Sequence, residues 1–218
     1  MAKKGLRKGI FITFEGVEGC GKSTHARLIY RYLKRCGYPC IYTKEPGGTK
    51  VGRMIRQILL SPKNAKLDDM TEFFLFEASR SQIVSEVVTP ALKKKNVVIC
   101  DRFFDATMAY QGYGNGLDKG IIDKMNRLAT GGLKPHLTIV LDIDSKKGLY
   151  RASRKNGKDR MERKAVSYHK RVRRGYAAIA RKDPRRVKLI ATRKKTSETQ
   201  KLVKREITNV ISRYSISG

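Results

Sequence analysis

The sequence predicts an α/β fold in which a five-stranded, mostly parallel sheet is flanked by helices on both faces. Short β-branched runs alternate with longer amphipathic stretches along the whole chain. The length of 218 residues and the hydrophobic content of 40% suit one folded domain, residues 1–218. Strands that alternate with helices usually form a parallel sheet, and its ligands lie at the carboxyl ends of the strands.

The predicted elements follow one another in a regular order. Strand segments are short, apolar and rich in Val and Ile, and they are expected at residues 10–14, 39–44, 97–101, 137–142 and 187–190. Helical segments carry apolar residues at three- and four-residue spacing, and they are expected at residues 23–36, 52–60, 69–94, 117–130, 163–181 and 198–213.

The charge of the chain is strongly positive, because 49 Lys and Arg oppose 19 Asp and Glu and leave a net charge of +30. Such a surface attracts polyanions, which include nucleotides, nucleic acid and anionic membranes. Charge alone therefore leaves both a nucleotide-handling enzyme and a nucleic-acid-binding module open. No apolar signal region or membrane span follows the basic N-terminal residues, so we expect a cytoplasmic location.

The four cysteines form no C-x-x-C pair and have no histidine cluster beside them. This pattern argues against structural zinc and against a secreted disulfide framework. We expect reduced thiols, of which only Cys20, inside a glycine loop, is expected to be exposed.

A glycine-rich segment between the first strand and the first helix carries the pattern G-x-x-x-x-G-K-S. Its glycines let backbone N–H groups converge on phosphate oxygens, and the helix N-terminus adds a favourable dipole. Lys22 can reach the β and γ phosphates, and the Ser23 hydroxyl can ligate Mg²⁺. A plain glycine turn is the alternative, but a turn needs neither that lysine nor that hydroxyl. The predicted ATP-binding residues of this loop are Gly16, Val17, Glu18, Gly19, Cys20, Gly21, Lys22, Ser23 and Thr24.

A carboxylate that could ligate Mg²⁺ together with the Ser23 hydroxyl lies at the end of the apolar strand at 97–101. Asp101 ends this strand, and a carboxylate there can hold the hydrated ion. A strand-ending Asp that caps the next turn is the alternative. Arg102 beside it adds a bidentate phosphate donor, which favours the metal site.

From about Lys8 to the C-terminus the sequence resembles the thymidylate kinase family. The resemblance rests on ordered blocks: Phe14-Glu15-Gly16, Thr43-Lys44-Glu45-Pro46-Gly47-Gly48-Thr49, Leu75-Phe76-Glu77-Ala78-Ser79-Arg80, Asp101-Arg102-Phe103, Ala109-Tyr110-Gln111-Gly112 and Asp159-Arg160-Met161-Glu162. It implies a P-loop NTPase fold with a small basic lid. It also implies that ATP, with Mg²⁺, phosphorylates dTMP to dTDP.

The resemblance also implies roles for individual residues of the acceptor site. Phe76 would stack on the thymine ring and Arg80 would hydrogen-bond its edge, and their i, i+4 spacing places both on one helix face. Core packing is the alternative for Phe76. Arg102 would clamp the acceptor phosphate and Glu18 would address the acceptor nucleotide near its sugar. The remaining implied substrate-binding residues are Glu45, Pro46, Thr107, Tyr110 and Gln111.

The lid is expected at about residues 148–162, inside the most charge-dense stretch of the chain. Relatives with glycine at the position of Gly19 carry their catalytic cations in the lid, which here offers Arg151, Arg154, Lys155 and Arg160. Arg154 and Lys155 are the implied catalytic cations, beside Lys22, Arg102 and Glu18, and Arg151 is an implied ATP contact. A pair of solvated helices joined by a turn is the alternative.

Two other functions stay open from the sequence. Another nucleoside monophosphate kinase, acting on dUMP or CMP, would share the loop and the lid. A nucleic-acid-dependent P-loop ATPase would exploit the net charge of +30, although incidental nucleic-acid binding is also expected of a kinase this basic. The resemblance further implies a homodimer formed by packed helices.

Overall fold

The computed structural model describes residues 4–156 and 159–216. For residues 155 and 156 it describes the backbone but not the side chains. Five parallel strands form one sheet in the order β2-β3-β1-β4-β5. The predicted five-stranded sheet is therefore confirmed. The strands are β1 (Ile10–Glu15), β2 (Cys40–Lys44), β3 (Val97–Asp101), β4 (Leu137–Asp142) and β5 (Val187–Ala191).

Helices connect every pair of consecutive strands. They are α1 (Lys22–Arg35), α2 (Lys50–Leu60), α3 (Asp69–Ile83), α4 (Thr89–Lys93), α5 (Phe104–Thr107), α6 (Lys119–Thr130), α7 (Ser145–Asn156), α8 (Val166–Lys182) and α9 (Thr196–Ser212). Among the described residues, no helix is long and apolar enough to cross a membrane.

Alternating side chains of β1 explain why helices cover both faces of the sheet. Ile10, Ile12 and Phe14 belong to a core that includes apolar residues of α1 and α9. Phe11 points the other way, into a core built with the end of α3 and with α4. Because side chains alternate along a strand, a strand that is apolar on both faces must be buried between two layers.

Two segments differ from the expected helices, and the basic stretch contains one helix that was not expected. The helix expected at 69–94 is interrupted by a π-helical turn, Val84–Val88, between α3 and α4. The residues between β3 and α6, for which the sequence predicts no regular element, form α5 and a π-helical stretch, Met108–Asn115. The basic stretch contains α7 and α8 with a turn between them, which agrees with a helix pair in the described part of this stretch.

Candidate active site

The phosphate loop lies where β1 and β3 end side by side. Phe14 of β1 is in register with Asp101 of β3. After β1 the chain continues to β2 at one edge of the sheet, and after β3 it continues to β4 in the other half. Such a switch point opens a crevice at the carboxyl edge of a parallel sheet. The loop, Asp101 and Arg102 therefore meet at this crevice.

The backbone conformation of the loop positions Lys22 and the start of α1. Gly21, the residue before α1, has φ of 93°, a left-handed conformation that favours glycine. The backbone N–H of His25 donates to its carbonyl oxygen at 3.0 Å, which starts the helix. Lys22 Nζ donates to the Val17 carbonyl oxygen at 3.2 Å, so the lysine folds back over the loop.

Gly19 is required because α7, which contains the start of the predicted lid, crosses the loop in backbone contact. A Cβ on Gly19 would lie 2.0 Å from the carbonyl oxygen of Gly148, in α7. A Cβ on Gly148 would in turn lie 2.4 Å from the carbonyl oxygen of Glu18. No side chain fits at either crossing position, so α7 seats directly on the phosphate loop.

Ser23 and Asp101 lie in contact, as the proposed Mg²⁺ ligands require. The Ser23 hydroxyl donates to Asp101 Oδ2, and the Tyr42 hydroxyl reaches the same oxygen at 3.4 Å. Among the described residues, no group of three or more His, Cys, Asp or Glu side chains could hold a metal. One hydroxyl and one carboxylate fit a Mg²⁺ that takes its other ligands from phosphates and water.

Arg102 holds the centre of the crevice in an unusual backbone conformation. Its φ is 73°, which is rare for a residue with a side chain. Its guanidinium donates to Tyr110 Oη at 2.8 Å and to Glu18 Oε1 at 3.2 Å. It also donates to the Gly16 carbonyl oxygen at 3.2 Å. These contacts fix the cation between the phosphate loop and the rest of the cleft.

Glu18 is an ionised carboxylate inside this arrangement. Burial raises its pKa, but the hydrogen bond to His169 and the charges of Arg102 and Lys22 outweigh burial and lower the pKa. Tyr110 Oη donates to Glu18 Oε1 at 2.6 Å, and His169 Nδ1 lies 3.1 Å from Oε2. The buried negative charge of Glu18 therefore has three partners, Arg102, Tyr110 and His169.

Arg80 lies across the cleft from the loop, in a nest of polar groups. It is 1% exposed, and it pairs with Glu45 at 2.5 Å and with Glu77. It also donates to Asn126 Oδ1 at 2.8 Å. Phe76, one turn earlier on α3, lines the same cleft, whereas Phe73 takes the buried core position.

Several buried polar atoms beside Arg80 have no partner within the described residues. These atoms are Glu45 Oε2, Glu77 Oε2, Arg80 Nε and Thr107 Oγ1. Burial raises the pKa of Glu45 to about 7, against the opposing charge of Arg80. Unpaired buried polar atoms are destabilising, so a pocket lined by them suits a polar ligand.

The loop, Arg102 and the Arg80 pocket open on one cleft with a volume of about 1100 Å³.

The thymidylate kinase family model matches residues 14–217. Thymidylate kinases from Symbiobacterium thermophilum and Dehalococcoides mccartyi are 44% and 46% identical, and the matches cover 94% and 91% of this chain and 95% of each relative. A crystal structure of thymidylate kinase from Ehrlichia chaffeensis matches with a TM-score of 0.76 and 33% identity, over 92% of this chain and 99% of that one.

The chain belongs to the thymidylate kinase family. The resemblance drawn from the ordered sequence blocks is thereby confirmed, and so is the P-loop NTPase fold. The individual residue roles stay predictions.

Most of the site residues predicted from the sequence of this thymidylate kinase family member line the cleft. Gly16, Val17 and Cys20 instead form the buried underside of the loop. The expectation that Cys20 is exposed was wrong, because the tight turn at Gly16 packs against its Sγ. The predicted residues on the cleft are Glu18, Gly19, Gly21, Lys22, Ser23, Thr24, Glu45, Pro46, Phe76, Arg80, Asp101, Arg102, Thr107, Tyr110, Gln111, Arg151 and Arg154.

The lid cations divide into two groups. Arg151 and Arg154 of α7 are exposed and line the cleft, whereas the side chain of Lys155 lies outside the described residues. Arg160 does not offer a free cation, because it is 5% exposed and bound to Glu72 Oε2 at 2.5 Å and to the Leu59 carbonyl oxygen at 2.7 Å. Arg160 therefore fastens the end of the lid segment to α2 and α3.

Sequence reasoning missed three arginines of the cleft, Arg27, Arg56 and Arg163. Arg27 lies one helical turn after Ser23, a spacing that could have indicated it. Arg56 donates to the Pro46 carbonyl oxygen at 3.0 Å and lines the cleft beside it. Its charge is one among many in the sequence, so only the fold singles it out.

Proposed function

We propose that this chain transfers the γ-phosphoryl group of ATP to dTMP and so forms dTDP and ADP. One observation carries the proposal: a phosphate loop and a polar, Phe76-lined pocket open on the same cleft, with Arg102 between them. The loop suits a triphosphate, and the pocket suits a planar base with polar edges. A kinase for a nucleoside monophosphate needs these two sites to face each other.

Positioning supplies most of the catalysis in this proposal. The acceptor phosphate is itself the nucleophile and is largely ionised at neutral pH, so no strong general base is needed. Lys22 neutralises charge on the donor side. Arg102 sits between the two sites, held by Glu18 and Tyr110, and clamps the acceptor phosphate without reorganising.

The lid and the metal site complete the charge balance. Arg151 and Arg154 bring cations from α7 to the donor side, with Lys155 as a further predicted contributor. Ser23 and Asp101 would hold Mg²⁺, which would neutralise negative charge on the phosphates of ATP. The helix α7, which already packs on the loop, would help to exclude water during the transfer.

An acceptor comparison tests the proposal. We expect kcat/KM to be highest for dTMP, lower for dUMP and lowest for CMP and AMP. Phe76→Ala should raise KM for dTMP while leaving the KM for ATP near its wild-type value, because Phe76 lies on the acceptor side. A preference for CMP would select the alternative monophosphate kinase and contradict the substrate that we propose.

Nucleic-acid binding is a second proposal, carried by the distribution of charge. Within residues 4–67, the three acidic residues Glu15, Glu18 and Glu45 are all buried. The outer face of α1 exposes Arg27, Arg31, Lys34 and Arg35. This face should bind single-stranded nucleic acid weakly, with an affinity that falls steeply as salt rises. ATP hydrolysis stimulated by that polymer would instead favour the ATPase alternative.

A homodimer is the assembly that we propose. The helix α3 packs against both α2 and α6, and all three helices expose large apolar side chains. Such a surface is typical of a protein interface. Sedimentation over a salt series tests this, with association expected to strengthen as salt screens the positive charge. The exposed apolar residues are Val51, Met54, Ile58, Met70, Phe74, Ile121 and Leu128.

We also propose a cytoplasmic location. All four cysteines are free thiols, which suits a reducing compartment. Burial raises the pKa of the Cys20, Cys40 and Cys100 thiols, and this disfavours their oxidation. Fractionation of cells with antibody detection tests the location.

A further inference from the structure

A single buried carboxylate connects the acceptor pocket to the end of the lid. Glu72 of α3 is fully buried. Its Oε1 accepts from Gln111 Nε2 at 2.7 Å and from Asn115 Nδ2 at 3.2 Å. Its Oε2 accepts from Arg160 Nη2 at 2.5 Å, and Lys164 Nζ lies 3.5 Å away. Within the described residues, all four of these polar groups direct a donor at the carboxylate.

This arrangement determines how the Gln111 amide is turned. A carboxylate only accepts hydrogen bonds, so the amide must direct its NH₂ group at Glu72 and its Oε1 away from it. Gln111 lines the cleft. Within the described part of the chain, no hydrogen bond engages its Oε1, which leaves this acceptor for a ligand.

We propose that Glu72 is a positioning residue that selects the pyrimidine base by fixing the Gln111 amide with its carbonyl oxygen toward the ligand. A carbonyl oxygen accepts from the N3–H of thymine or uracil. It repels cytosine, whose N3 is itself an acceptor. The inference rests on the proposed acceptor site, and it explains selection against cytosine by an amide orientation rather than by size.

Arg160 makes the orientation testable with one isosteric change. In Glu72→Gln, the new amide must still receive a hydrogen bond from Arg160, which can only donate. Its carbonyl oxygen therefore stays with Arg160 and its NH₂ turns to Gln111. Gln111 must then reverse its own amide and present NH₂ to the cleft, where it complements the N3 acceptor of cytosine.

The experiment compares kcat/KM for dTMP, dUMP and dCMP in the wild-type enzyme and in Glu72→Gln. We expect the values for dTMP and dUMP to fall roughly 10- to 100-fold, since a buried donor and acceptor become mismatched. We expect the value for dCMP to rise, so that the dTMP/dCMP ratio narrows further. Lys164→Met is the matched control: it removes a cation near Glu72 and the hydrogen bond from Lys164 Nζ to Asn115 Oδ1 at 2.9 Å, but it keeps the contact between Gln111 and Glu72. It should therefore leave the dTMP/dCMP ratio unchanged.

A second variant keeps the test decisive if Glu72→Gln does not fold, as judged by thermal melting. Gln111→Met removes the carbonyl oxygen while keeping the shape, and it should narrow the dTMP/dCMP ratio by lowering the dTMP value alone. A wild-type ratio in either folded variant, with dTMP kinase activity retained, overturns the role of Glu72 but not the proposed function. A wild-type enzyme that phosphorylates none of the three nucleotides overturns both.

Discussion

Replacing Thr107 by Val should stabilise the free enzyme and weaken its acceptor site. Thr107 is 1% exposed and its Oγ1 has no partner within the described residues, although the residue lines the cleft. A buried hydroxyl without a partner is destabilising by about 1–3 kcal/mol, and Val has nearly the same shape. The two effects have opposite signs because the hydroxyl is unpaired until the ligand arrives.

The magnitudes follow from these contacts. Removing the unpaired hydroxyl should raise the free energy of unfolding by about 1 kcal/mol, which corresponds to roughly 2–4 °C in Tm for a chain of this size. Losing one neutral hydrogen bond to the base should weaken dTMP binding by about 2- to 10-fold. Calorimetric melting of the free enzyme and titration with dTMP measure the two quantities separately.

A matched control comes from a buried threonine whose hydroxyl is already paired. Thr199 is 1% exposed, lies in α9, and its Oγ1 accepts from the Arg193 backbone N–H at 2.8 Å. Thr199→Val should destabilise the enzyme by about 1 kcal/mol and leave dTMP affinity unchanged. If Thr107→Val lowers Tm as this control does, or binds dTMP as tightly as the wild type, the reasoning about the unpaired hydroxyl is refuted.

Three further predictions concern the loop, a buried acid and a buried ion pair. Lys22→Met should lower kcat by about two orders of magnitude or more with little change in Tm. Single-turnover kinetics measure this, and a rate constant for phosphoryl transfer equal to that of the wild type would exclude the lysine from the transfer. Burial raises the pKa of Glu15 to about 8, so its contribution to stability is complete below about pH 4.5 and is lost as pH rises through 8. Urea unfolding should show this loss, at most about 4–5 kcal/mol, and Glu15→Gln should flatten it. Arg186→Met should be destabilising by about 3–5 kcal/mol, because it leaves Asp105, now paired at 2.6 Å, as an unpaired buried charge. Adding Asp105→Asn should restore part of that loss, and a double variant no more stable than Arg186→Met would count against this explanation.

The sheet was predictable because its signals are local. The three central strands are short runs rich in β-branched residues that are buried on both faces. The phosphate loop combines a strand, glycines and a helix within one segment. The π-helical stretch, Met108–Asn115, was missed because its glycines and tyrosines favour no regular structure on their own. It is held by packing against α8, where Tyr168 Oη donates to the Tyr110 carbonyl oxygen at 3.3 Å. Tertiary contacts of this kind override local propensity.

The site was predictable as a set of residues but not as a network. The blocks of the sequence identified Phe76, Arg80 and Gln111, and all three line one cleft. No pattern in the sequence pairs Arg160 with Glu72, which are 88 positions apart. The sequence predicted Arg160 as one of the lid cations, and only the fold shows it buried beside a carboxylate.

The positions of the acidic residues explain why net charge says little about the chemistry here. Seven of the 19 Asp and Glu are buried, whereas only Arg80 and Arg160 among the described Lys and Arg are. The buried acids hold arginines in place: Glu45 and Glu77 hold Arg80, and Glu18 holds Arg102, on the cleft, whereas Glu72 holds Arg160 at the end of the predicted lid. An arginine fixed in this way needs no reorganisation when a phosphate or base binds, which is the condition for electrostatic catalysis. Since these carboxylates serve the interior, the surface keeps the unbalanced cations, and the charge of +30 describes that surface rather than the site.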